Sequence, residues 1–167
     1  QKEHLLPNVS VTALLQGSQN ILWVGTDGRG IYQYYAKNNF ILSFPTGTKN
    51  HPVRAIQQLG DTCLIGTKGE GLLVYKATGK DRLQPIATHN VGPGRSYNAV
   101  YALGKGSNNR IWLGTDGKGL QYYQQGQLHK MTFRSPQEEQ QVYSVYSIIQ
   151  ANDSTLYIGT SGNGLVC

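Results

Sequence analysis

The stretch of this chain richest in groups that bind or react is Thr88-His89-Asn90-Val91-Gly92-Pro93-Gly94-Arg95-Ser96-Tyr97-Asn98. It gathers an imidazole, a guanidinium, amides and a phenol ring around turn-forming glycine and proline. His89, Asn90, Arg95, Tyr97 and Asn98 together suit a polyhydroxylated ligand. Planar polar groups pair with hydroxyls, and an aromatic ring takes the apolar face of a sugar. Arg95 adds a fork that fits a carboxylate or sulfate. Three further basic residues complete the candidate set: His51, which follows Lys49 and Asn50, and Arg29 and Lys118, which each sit between two glycines.

Catalytic and cofactor chemistry finds little support. The four histidines, at 4, 51, 89 and 129, are dispersed, and Cys63 and Cys167 lack metal-ligand spacing; no metal or cofactor is expected. Gly25–Gly30, Gly66–Gly71, Gly114–Gly119 and Gly159–Gly164 match Gly-x-x-x-x-Gly. None is followed by the Lys-Ser or Lys-Thr of a phosphate loop, and none opens a helix. A Gly-x-Ser-x-Gly nucleophile turn is absent. Among nine acids the closest pair is Glu138-Glu139, in a Pro- and Gln-rich stretch. No catalytic residue is assigned; a lyase acting on an anionic polysaccharide would draw on His89 and Tyr97. Fifteen Lys and Arg against nine acids give a net charge of +6. That favours acidic partners, but the cations are scattered, with no basic stripe for nucleic acid. No run of apolar residues is long enough to cross a membrane as a helix. The Gln1-Lys2-Glu3-His4 start lacks a signal peptide and a Met, so the chain is expected to be processed or cut from something longer.

What positions these residues is a repeat. Ile21–Ile31, Thr62–Leu72, Arg110–Leu120 and Thr155–Leu165 align without gaps. In each, Gly-Thr is followed by a variable residue, Gly, a variable residue, Gly, then Ile or Leu. The Gly-Thr pairs begin at 25, 66, 114 and 159, which puts them 41, 48 and 45 residues apart. The residues before each pair are apolar and β-prone, as in a strand buried on both faces. Asp27-Gly28 and Asp116-Gly117 are hairpin-turn dipeptides. A second strand follows at Ile31–Tyr35, Leu72–Tyr75 and Leu120–Tyr123. A third follows at Phe40–Phe44, Leu83–Ala87 and Leu128–Phe133. Another precedes the motif at Val9–Leu15, Val53–Leu59, Ala99–Leu103 and Val142–Ile149.

Each repeat therefore reads as a four-stranded antiparallel meander, with strands a, b, c and d in order. The fold class is all-β. A period of about 40–45 residues with four short strands is that of a β-propeller blade. Residues 1–167 are expected to form one array of four blades, or a fragment of a larger propeller. Strand d is missing after Cys167, and residues 1–6 fall where it would lie, so the N-terminal strand is a candidate to complete the fourth blade. Closure, or completion by an oligomeric partner, is the expectation, because a free arc leaves apolar blade faces in water. In this topology the b–c turns and the d-to-a links (Pro45–Pro52, Thr88–Tyr97, Arg134–Gln141) emerge at one end. That brings His51, His89 and Arg95 to the end that carries Arg29 and Lys118. Trp23 and Trp112 share one repeat position and read as packing between blades. Cys63 reads as a small buried hydrophobe.

Leu22–Ile31 and Ile111–Leu120 resemble the two-component regulator propeller repeat, and Leu6–Leu14 and Asn98–Leu103 look like its lead-in strand. The second and fourth repeats depart from the pattern, with Leu64 and Tyr157 in place of Trp. The resemblance implies a periplasmic sensor region of hybrid histidine kinases of Bacteroidetes-like bacteria. It implies recognition of an oligosaccharide without catalysis by this chain. Other blades of a parent receptor, or copies of the chain, would be its protein partners. The residues leave two alternatives open: a propeller serving only protein association, and the polysaccharide lyase.

Overall fold

The second strand of each sheet forms where an apolar run ends in the Gly-Thr of the repeat. The computed structural model describes residues 6, 8–17, 20–44, 51–79, 82–131 and 144–167. The first sheet is β1 (Val11–Gln16), β2 (Ile21–Thr26), β3 (Ile31–Tyr35) and β4 (Phe40–Phe44). The second is β5 (Val53–Leu59), β6 (Thr62–Thr67), β7 (Leu72–Ala77) and β8 (Leu83–His89). The third is β9 (Val100–Lys105), β10 (Ile111–Thr115), β11 (Leu120–Gln124) and β12 (Gln127–Lys130). The fourth has three strands, β13 (Val145–Asn152), β14 (Thr155–Thr160) and β15 (Leu165–Val166). Every sheet is an antiparallel meander paired in chain order, as the repeat predicts. One helical turn, α1 (Gly94–Tyr97), interrupts the link from β8 to β9. The N-terminal segment expected to complete the fourth blade, and the Arg134–Gln141 link, lie outside the described residues, Leu6 excepted.

The sheets fan from their first strands. β1 lies against β5, β5 against β9, and β9 against β13, whereas β4, β8 and β12 pack within their own sheets. Among the described residues no contact of comparable extent joins β13 back to β1. Each junction holds its own core. Trp23 and Ile31 meet Cys63, Ile65, Leu73 and Tyr75 across the first. Leu64, Leu72 and Val74 meet Ile111, Leu113 and Tyr123 across the second. Trp112 and Leu120 meet Ile158, with Leu156 and Val166 beside it, across the third. Strand β6 shows why its sequence is apolar throughout: Cys63 and Ile65 serve one junction and Leu64 the next, all three buried. Burying each such side chain is worth about 1.5–3 kcal/mol.

The glycine of each Gly-Thr pair is a notch. Val53, Val100 and Val145, each wholly buried, press onto Gly25, Gly66 and Gly114 of the preceding sheet. A Cβ on Gly66 would lie 2.8 Å from Val100 Cγ1 and 2.9 Å from its carbonyl oxygen. Among the described residues the outer faces of the terminal sheets lack such a partner. Leu165 is 72% exposed and Tyr157 41%, where their equivalents Leu72 and Leu64 are 0% exposed. At the other end Val11, which aligns with the three buried valines, is 49% exposed.

Candidate ligand-binding site

The threonine of the repeat shapes the tips that carry Arg29 and Lys118. Its hydroxyl donates across the turn to the last glycine's carbonyl: Thr26 to Gly30 at 2.7 Å, Thr67 to Gly71 at 3.0 Å, Thr115 to Gly119 at 2.7 Å and Thr160 to Gly164 at 2.8 Å. In three turns it also accepts the amide of the variable residue, from Arg29, Glu70 and Asn163. The two glycines flanking that residue take left-handed φ, 80° and 77° at Gly28 and Gly30, a region only glycine enters cheaply. Backbone and threonine thus give every turn the same shape, and Arg29 and Lys118 project exposed from it.

The loop after β8 is pinned rather than loose. Asn98 is buried, and its Oδ1 accepts the Val91 amide at 2.9 Å while its Nδ2 donates to Asn90 Oδ1 at 2.9 Å. Its carbonyl accepts the amides of Gly69 and Gly71 at 3.0 and 2.9 Å, which ties the loop to the second sheet's turn. On the other side Gln121 Nε2 donates to the Val91 carbonyl at 2.9 Å. This frame presents α1, where Arg95 is exposed and Tyr97 is 53% exposed, with the Lys118 ammonium 5.8 Å from the Tyr97 ring centre.

His51 sits on the second turn: its Nε2 is 3.4 Å from Glu70 Oε1 and its Nδ1 3.3 Å from the Lys68 carbonyl. Asn98 reaches the same turn from the other side, through the Gly69 carbonyl. The structure thus brings Asn90, Tyr97, Asn98, Lys118 and His51 to neighbouring turns of the second and third sheets. Arg29 projects from the first sheet, apart from them. His89 belongs to β8 rather than to the loop. Its ring lies edge-on to Tyr123 at 5.5 Å, and its Nε2 is enclosed with no hydrogen-bond partner among the described residues. The sequence-predicted core residues sit as expected: Trp23 and Trp112 are 3% and 6% exposed, and burial pushes the Cys63 thiol up to about 12.

The sequence reading missed a second group at this end, on the first strand of each sheet. Tyr101 and Tyr146 meet ring to ring at 4.8 Å and 51°. Asp116 stands beside them, its Oδ1 accepting the Ser144 hydroxyl at 2.9 Å. Burial, then the Asp116 charge, raises both phenols above the usual tyrosine range; at Tyr101 the Arg54 guanidinium works against the rise. Arg54 Nε is shut off from solvent with no hydrogen-bond partner among the described residues. The signal for this group was in the chain: Val11-Thr12-Ala13, Val53-Arg54-Ala55, Val100-Tyr101-Ala102 and Val145-Tyr146-Ser147 share a fixed Val, a variable residue and a small one.

A cavity of about 460 Å³ opens at the opposite end, lined by Ser107, Arg110, Trp112, Gln150, Asn152 and Asp153. Several of its polar groups are spent on one another, while Arg110 lies over the Trp112 ring and its Nε has no hydrogen-bond partner among the described residues. Trp112 Nε1 donates to Gln150 Oε1 and Gln150 Nε2 to Ser107 Oγ, both at 2.7 Å, and the Ser107 hydroxyl donates to Asp153. Among the described residues no group of His, Cys, Asp and Glu is placed to hold a metal ion.

Comparison with known proteins agrees with the repeat. The family described as two component regulator propeller matches residues 5–28. No curated protein matches the chain. Among solved structures, the extracellular domain assigned to the hybrid two component system BT3049 from B. thetaiotaomicron is 26% identical, with a TM-score of 0.72 over 99% of this chain and 22% of that one. The corresponding domain of BT4673 from the same organism is 25% identical, with a TM-score of 0.67 over 95% of this chain and 20% of that one. The chain thus spans about a fifth of the length of these proteins. The computationally designed Ika4 protein, 20% identical, shares the fold with a TM-score of 0.65 over 99% of this chain and 92% of that one.

Proposed function

We propose that this chain is a non-catalytic sensor module of a bacterial two-component receptor, exposed to the periplasm, that recognises an oligosaccharide at the end carrying its b–c turns. One observation carries the reading. The repeat holds its backbone rigidly through Gly, Thr and Val while leaving single side chains free to vary at one end: Asp27, Arg29, Lys68, Glu70, Asp116 and Lys118 on the turns, and Thr12, Arg54, Tyr101 and Tyr146 on the first strands. A rigid scaffold with retunable tips is the usual architecture of recognition. The likeness to extracellular domains of hybrid two component systems supports the signalling context, and the net charge of +6 supports an acidic ligand. Titration calorimetry against a panel of neutral and acidic oligosaccharides tests it. Heat without turnover is the expected result; a new absorbance from an unsaturated sugar product contradicts it and restores the lyase.

A second reading, association between propeller blades, is favoured by the outer face of the fourth sheet. Tyr157 and Leu165 are 41% and 72% exposed there, at positions that in the second sheet, as Leu64 and Leu72, are buried in a blade junction. A blade of the same repeat would cover them. A mass that rises with concentration, together with silence across the sugar panel, is the outcome that selects this reading.

A further inference from the structure

The first strand of every sheet carries the same defect. Val53 pairs with Thr67 and Ala55 with Gly66, so the three residues Val53–Ala55 face only two on the partner strand. The shift recurs between Val11 and Ala13, between Val100 and Ala102, and between Val145 and Ser147. The extra residue is Thr12, Arg54, Tyr101 or Tyr146. A bulge releases its residue from the alternation of the strand and re-aims the side chain. Four bulges at one repeat position, with Thr, Arg and Tyr among their residues, are a device for presenting side chains rather than an accident of packing.

These four residues form a line along the innermost strands. The Thr12 hydroxyl donates to the Val53 carbonyl at 2.5 Å, next to Arg54. The Arg54 charge is felt at Tyr101, and Tyr101 meets Tyr146 at 4.8 Å. The line is polarised, with a guanidinium that makes no ion pair among the described residues toward one end and Asp116 beside the tyrosines. Two phenol rings offer a face for the C–H side of a pyranose. A guanidinium offers a fork for an acid group.

We infer that the bulged residues Arg54, Tyr101 and Tyr146 form an axial subsite for an acidic sugar, a uronate or sulfated residue, whose acid group lies toward Arg54 and whose ring stacks on the tyrosines. This rests on the oligosaccharide-sensor reading above and narrows it to a charge class and a position. The loop residues Arg95 and Tyr97 then line the rim rather than the centre.

The test is calorimetry with tetragalacturonate and its neutral counterpart galactotetraose, on the unaltered chain and on Arg54→Gln and Tyr146→Leu, with circular dichroism and thermal unfolding confirming that each variant is folded. The acidic tetrasaccharide is expected to bind roughly tenfold or more tightly than the neutral one. Arg54→Gln is expected to collapse that preference, weakening the acidic ligand far more than the neutral one, while Tyr146→Leu weakens both ligands. A preference that survives Arg54→Gln in a folded variant overturns the axial subsite and leaves the sensor reading standing, as does equal binding of both sugars. Absence of binding by either sugar and by a wider oligosaccharide panel overturns both.

Discussion

Replacing Gly66 with alanine probes the contact that stacks one blade on the next. The residue's φ is not left-handed, so the backbone itself tolerates a side chain. Removing a glycine also stiffens the unfolded chain, an effect worth about 0.4–1 kcal/mol in favour of the fold. Against this, the new Cβ meets Val100 Cγ1 at 2.8 Å and the Val100 carbonyl oxygen at 2.9 Å. A side chain can rotate away; a carbonyl inside a paired strand cannot. Overpacking of this kind costs about 1–3 kcal/mol, so the net loss should be about 1–2 kcal/mol. Gly159 provides the control. It occupies the same repeat position, but there the atoms a Cβ would meet belong to Ser147 of its own sheet, nearest among them a hydroxyl free to turn. Gly159→Ala should therefore stay within about 0.5 kcal/mol of the unaltered chain. Val100→Ala alone should cost roughly 2 kcal/mol through its lost methyls and the cavity left behind. In the double variant the methyl introduced at position 66 enters that cavity, and a coupling of at least about 0.5 kcal/mol should appear. Urea unfolding followed by the fluorescence of Trp23 and Trp112 measures all four. If Gly66→Ala proves as harmless as Gly159→Ala, or if the pair adds without coupling, the valine-on-glycine account of blade stacking is wrong.

Thr67→Val keeps the side chain's shape but strips the bonds to Gly71 and Glu70. It should lose about 1–3 kcal/mol in the same urea assay, since the Glu70 amide is left without its acceptor. With a thiol reagent at pH 8, the native chain should titrate the exposed Cys167 at once and the buried Cys63 only after unfolding. Because burial pushes the folded Cys63 thiol up to about 12 from an ordinary 9.0, its neutral form favours the fold fully below pH 9, and that contribution fades as pH rises toward 12. Cys63→Ala should blunt the alkaline fall in the urea midpoint, and an unchanged slope would remove the thiol as its cause. Arg95→Ala should weaken an acidic oligosaccharide less than Arg54→Gln does; titration showing no effect removes the α1 loop from the site.

The fold was legible because it is stated four times. One Gly-Thr copy is a turn of no great meaning, but four in one phase with apolar flanks restrict the sheets to stacking on one another. The buried Trp23 and Trp112 follow from that alone. What the chain hid was register. Nothing in Val53-Arg54-Ala55 read singly says that three residues will oppose two, so Arg54 and Tyr101 look like ordinary strand residues. Comparing the four copies of Val-x-small would have marked the position, because the variable residue interrupts the alternation at the same step each time. Features present once had no such help. Asn98 offers an amide that reads as ligand chemistry, yet its hydrogen bonds hold the link between two blades. The turn at α1, four residues after Pro93, is too short to leave a periodic trace. His51 and Glu70 stand 19 positions apart and meet only because the second sheet folds one onto the other.

Amide chemical-shift mapping during titration with tetragalacturonate bears most directly on where this protein recognises anything. Shifts concentrated at 52–55, 99–102, 116–118 and 144–147, converging on the innermost strands, are the expected result. Shifts confined to 107–110 and 152–155, around the cavity at the other end, would contradict the account.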